Sequence, residues 1–81
     1  MSTSMKHTHA HQVEDIEETA RVRLQHSPYR AIRRVTCQFT DGELTIYGNV
    51  PTYHYKQLAQ TAVTGIDGVT QIVNNIEVDL D

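Results

Sequence analysis

Apolar positions along the chain switch repeatedly between a helical and an alternating period, and the switches mark its elements. Val13, Ile16, Ala20 and Leu24 recur at helical spacing, which predicts a first helix starting at Gln12 or Val13. Glu14 and Asp15 would then fall in its first turn and Arg21 and Arg23 near its end, an order that suits the helix dipole. Glu17 and Arg21 stand at i, i+4 in the favourable orientation for an ion pair. Ser27-Pro28 stops the helix, because the residue before a proline is pushed out of helical conformation. From Ile32 or Arg33 the pattern alternates, with Val35, Cys37 and Phe39 on one side and Arg34, Thr36 and Gln38 on the other, as in a half-buried strand.

Thr40-Asp41-Gly42-Glu43 predicts a tight hairpin turn. The return strand places Leu44, Ile46 and Gly48 inward and Thr45, Tyr47 and Asn49 outward, and a glycine at position 48 signals close approach of a helix or another backbone. Val50-Pro51 ends this strand, and Thr52 caps a second helix whose broad apolar face is Tyr55, Leu58, Ala59, Ala62, Val63 and Ile66. Gly65 takes the left-handed conformation that closes the helix, and Gly68 opens the last strand. There Ile72, Asn74, Ile76, Val78 and Leu80 share one face, and Val73, Asn75, Glu77 and Asp79 the other. Asn74 is the polar exception in the inward row. The order helix, strand, strand, helix, strand predicts an α+β fold.

With 81 residues the chain holds one domain with a small core. We divide it into a polar, disordered tail over residues 1–11 and a single folded domain over 12–81. A hydrophobic content of 38% and a net charge of -3 describe an ordinary soluble protein and argue against a general nucleic-acid binder. One cysteine, Cys37, leaves no disulfide framework and no Cys-based zinc cluster. The start of the chain lacks the apolar region of a secretory signal, so the sequence as written reads as cytoplasmic, and as periplasmic if a leader has been removed. His7, His9 and His11 alternate in the tail and could chelate nickel or zinc loosely; we read them as solvated and assign no metal and no cofactor.

Gly48-x-Val50, Lys56-x-x-Ala59 with Gly65 beyond it, and Gly68-Val69-x-x-Ile72-Val73-Asn74-Asn75-x-x-Val78 together resemble the BON domain, named for bacterial osmotically induced and nodulation proteins. The likeness runs from Val13 to Leu80. It implies an α-β-β-α-β two-layer sandwich, a three-stranded mixed sheet with two helices on one face. It also implies a noncatalytic module that recognises phospholipid surfaces or cell-envelope partners, as in exported bacterial proteins of osmotic stress. Gly48, Val50, Gly65, Gly68, Val69 and Asn74 are then structural positions.

Five of the seven basic residues, Arg21, Arg23, Arg30, Arg33 and Arg34, lie between the end of the first helix and the first strand, with Tyr29 among them. This cluster is the candidate site for anionic phospholipid; Tyr53 adds an interfacial aromatic. A second reading is a structural or oligomerising adaptor, in which Tyr47 and Val73 on the open sheet face form a homodimer interface, sheet to sheet or edge to edge. Gly65-Ile66-Asp67-Gly68 formally matches the Gly-x-x-Gly loop of KH domains, but Asp67 repels phosphate and the loop leads to a strand, so nucleic acid is disfavoured. No catalytic constellation is legible: Cys37 faces inward, and neither His26 nor His54 has a partner at a telling spacing.

Overall fold

The computed structural model describes the backbone of residues 8–79 and the side chains of residues 13–79. Its elements are α1 (Thr8–Gln25), α2 (Arg30–Arg33), β1 (Thr36–Thr40), β2 (Glu43–Val50), α3 (Tyr53–Ala62) and β3 (Gln71–Val78). The sheet has the order β1-β2-β3, with β1 antiparallel and β3 parallel to the central β2. It is the expected mixed α+β sandwich, with a third, short helix added.

Three boundaries differ from the sequence reading. The first helix begins at Thr8 rather than Gln12, so Glu14 and Asp15 lie beyond its first turn, which holds no acid. No proline or glycine occurs between Thr8 and Gln25, so nothing local stops the helix from extending this far. His7 and residues 1–6 of the expected tail lie outside the described residues, as does Leu80. The first strand starts at Thr36, because Arg30–Arg33 forms a turn of helix instead. Tyr29 caps it in extended conformation, its carbonyl accepting from the amides of Ile32 and Arg33, and this turn buries Ile32. Ile66 is buried as expected, but from the turn after α3 rather than from the helix itself.

The core forms where the helices cover one sheet face. Leu44, Ile46 and Val50 of β2 are buried at its centre, joined by Phe39 of β1, Ile76 of β3, Ile16, Ala20 and Leu24 of α1, Ile32 of α2 and Ala59 of α3. The hairpin register pairs Thr40 with Glu43 across Asp41-Gly42, both at positive φ, as a two-residue turn requires. The approach foreseen at Gly48 comes from the backbone entering β1: a Cβ built there would lie 3.5 Å from the Val35 Cα. Thr52 caps α3 through its hydroxyl, which accepts from the Tyr55 amide at 3.2 Å.

The opposite face carries two mainly polar rows, Thr36-Tyr47-Asn75 and Gln38-Thr45-Val73, with Tyr47 and Val73 as their apolar members. Tyr47 is 41% exposed. Each edge strand, however, has an outward amide taken by a side chain. Glu17 Oε2 accepts from the Phe39 amide on β1 at 2.7 Å, and Asn74 Oδ1 accepts from the Ile76 amide on β3 at 3.2 Å. Edge-to-edge pairing would have to displace the contact on whichever edge it used, so the physics of a sheet edge argues against that form of homodimer.

Candidate anion-binding surface

The segment leaving α1 is held in a compact turn by Ser27. Its hydroxyl accepts from the Tyr29 amide at 3.1 Å, and its carbonyl accepts from Arg33 Nη1 at 3.0 Å. This turn sets Tyr29 against α3, where its ring lies 5.1 Å from that of Tyr55 at an interplanar angle of 37°. Such tilted pairs are a favourable aromatic geometry. The ring of His54 lies 6.2 Å beyond Tyr55, and Lys56 Nζ sits 5.9 Å from the centre of the Tyr53 ring, within cation–π range. Tyr53 is 64% exposed, the most exposed large hydrophobic side chain among the described residues. The Tyr29–Tyr55 contact thus joins the α2 turn, with Arg30 and Arg33, to the first turn of α3, which carries Tyr53, His54 and Lys56.

The five arginines do not act as one group. Arg21, Arg33 and Arg34 line a depression of about 220 Å³ with Glu17, Gln25, Val35, Thr36 and Cys37. Arg30 stands on the α2 turn next to Tyr29 in the chain. Arg23 points elsewhere, donating from Nη1 to the Thr64 carbonyl at 2.8 Å and so tying α1 to the end of α3. The expected Glu17–Arg21 pair is replaced: Arg21 pairs with Glu18 on the helix surface, and Glu17 turns to the Phe39 amide. Sequence clustering found the arginines but not Tyr55, His54 or Lys56. Tyr55 carried only a core signal there, and its contact with Tyr29 is purely tertiary.

The depression offers guanidinium donors and no activated nucleophile. Burial, and then the nearby Glu17 carboxylate, push the Cys37 thiol up, with Arg21 acting in the opposite direction. The thiol donates to the Glu17 carbonyl at 3.6 Å. Among the described residues, no three His, Cys, Asp or Glu side chains come together to hold a metal.

A family model for the BON domain matches residues 12–79, nearly all of the described chain. The chain belongs to the BON domain family. No curated protein matches it in sequence. Membership makes this BON domain a binding module in general terms and supports a noncatalytic role. Its motif positions sit at structural points: Gly65 follows α3 at φ 82, Gly68 lies in the link to β3, and Val50 is buried where β2 ends. The Gly65–Gly68 stretch joins a helix to a strand and buries Ile66, unlike a loop that clamps nucleic acid between two helices. Tyr47 and Val73 occupy the open face, on neighbouring rows.

Proposed function

We propose that this BON domain is a noncatalytic module that docks on anionic phospholipid surfaces through the α2 turn and the start of α3. The supporting observation is the packing of Tyr29 on Tyr55, which joins the α2 turn carrying Arg30 to the start of α3, where Tyr53 is exposed and Lys56 lies near its ring. Cations near an anionic membrane contribute about 1 kcal/mol each, and tyrosine places an apolar ring and a polar tip at the headgroup level. Arg21, Arg33 and Arg34 then form the headgroup-sized depression beside this surface. The working location is an anionic membrane face of the cell envelope.

An amide chemical-shift titration with phosphatidylglycerol and with phosphatidylcholine vesicles tests this reading at low and moderate salt. Shifts over Tyr29–Arg34 and Tyr53–Lys56 with the anionic vesicles alone, weakened by salt, are the expected result. The double change Arg30→Glu and Arg34→Glu should abolish them. Equal shifts with both lipids, or none with either, would remove the proposal.

A second reading uses the bare sheet face for a homodimer, favoured by the exposure of Tyr47 in the middle of its row. Tyr47→Asp should then halve the mass in solution while leaving the fold intact. An unchanged mass rejects it.

A further inference from the structure

The far end of the sheet carries a second, differently built cavity. It has a volume of about 280 Å³ and is lined by Val13 and Ile16 of α1, Phe39 of β1, Asp41 and Gly42 of the hairpin turn, and Asp67 and Gly68 of the α3–β3 link. Its floor is apolar, with Ile16 and Phe39 each 8% exposed. Both aspartates are exposed, and among the described residues the ion pair present is Arg21–Glu18, so neither carboxylate is neutralised by a described cation. The two turns that carry them are fixed to each other. The Gly42 carbonyl accepts from the Thr70 amide at 2.8 Å, the Thr70 hydroxyl at 3.1 Å and the Gln71 amide at 3.2 Å.

We propose that this cavity receives a lysine or arginine side chain from a basic segment of a partner protein. An apolar floor suits the aliphatic stem of such a side chain, and a rim with two carboxylates suits its charged head. A divalent ion would find too few oxygen ligands and a floor that cannot coordinate it. At about 280 Å³ the cavity lies at the lower edge of the range of small-molecule sites, roughly 300–1,000 Å³, and has room for an extended lysine or arginine side chain. The nearest β1 residues of the two sites, Phe39 here and Cys37 in the arginine depression, are two positions apart, about 7 Å at ~3.4 Å per strand residue. The cavity proposal stands without the membrane reading.

The test is an amide-shift titration of the whole chain with Nα-acetyl-lysine methylamide, compared with its uncharged norleucine analogue. Binding of the lysine probe alone, with shifts at Val13, Ile16, Phe39, Asp41–Gly42 and Asp67–Gly68, is expected. Asp41→Asn and Asp67→Asn should each weaken it about tenfold, the order of one lost charge-assisted contact. Asparagine tolerates the positive φ of 50 at position 41, so the turn is kept. Equal binding of the norleucine analogue, shifts confined to other residues, or unaltered affinity in both variants would overturn the proposal. Concentration-dependent shifts at these residues without any probe would also overturn it, by making a second copy of the chain the occupant.

Discussion

Glu17 on the first helix accepts the backbone amide of Phe39 on the edge strand at 2.7 Å, across twenty-two positions of sequence. A charged acceptor satisfies an edge donor there and also fixes α1 against β1. Glu17→Ala should lower the free energy of unfolding by about 1.5–3 kcal/mol, the range for hydrogen bonds to charged groups. Urea denaturation measures this, and amide exchange at Phe39 should accelerate in the variant by more than the global change alone explains.

Asn74 holds the other edge. Its Nδ2 donates to the Lys56 carbonyl at 3.0 Å and to Gln60 Oε1 at 3.1 Å, and its Oδ1 accepts from the Ile76 amide. Asn74→Leu would restore an unbroken apolar row on β3 and should still destabilise the domain, by about 1–3 kcal/mol, because partly buried backbone groups lose their partners. A urea midpoint at or above that of the parent chain would refute this account of the residue.

Gly65 and Gly68 separate backbone strain from crowding. Both have positive φ, 82 and 95, but a Cβ at Gly65 meets nothing within 4 Å, whereas one at Gly68 would lie 2.7 Å from Ile16 Cδ1. Gly65→Ala should cost about 1 kcal/mol from conformation alone. Gly68→Ala should cost more, and pairing it with Ile16→Val should recover the excess. Thermal denaturation of the four variants, including Ile16→Val alone, checks the comparison.

Cys37 gives a pH dependence of known sign. Burial first, and the Glu17 charge second, raise the thiol above its ordinary value, so the folded chain retains this proton after the unfolded chain has lost it. Stability from this group is therefore complete below the ordinary thiol value and declines as the pH climbs from there through the folded value. A series of urea transitions across that window should show the decline, and Cys37→Ser should flatten it. Reaction of the native thiol with a disulfide reagent should be slow at neutral pH and fast after denaturation.

Long amphipathic stretches made most of the fold legible. Leu44, Ile46 and Val50 alternate, Leu58, Ala59 and Ala62 recur, and Asp41-Gly42 fixes the turn, so these elements lie where local patterning put them. The α2 turn was hidden because four residues give no periodic window, and the three-residue spacing of Ile32 and Val35 could be absorbed into the apolar pattern around it. Glu17 had a nearer candidate partner in Arg21, and the acceptor role it takes depends on tertiary placement. The arginine cluster was visible as a run in sequence, whereas the removal of Arg23 to the end of α3, and the meeting of Tyr29 with Tyr55, depend on how the helices cross the sheet.

The convergence of three donors on the Gly42 carbonyl has a consequence for how the chain can change. Parallel pairing of β2 with β3 would ordinarily depend on the span of the helix and links between them, since no tight turn connects the two strands. Here the first residue of β3 is pinned directly to the hairpin, opposite Glu43, at the very start of the ladder. Extra residues spliced in just after Gly65, where an added Cβ would meet nothing within 4 Å, would loop outward while the pin kept every pair from Glu43–Gln71 to Val50–Val78 in step. That joint is where this scaffold can accept new sequence without losing its alignment.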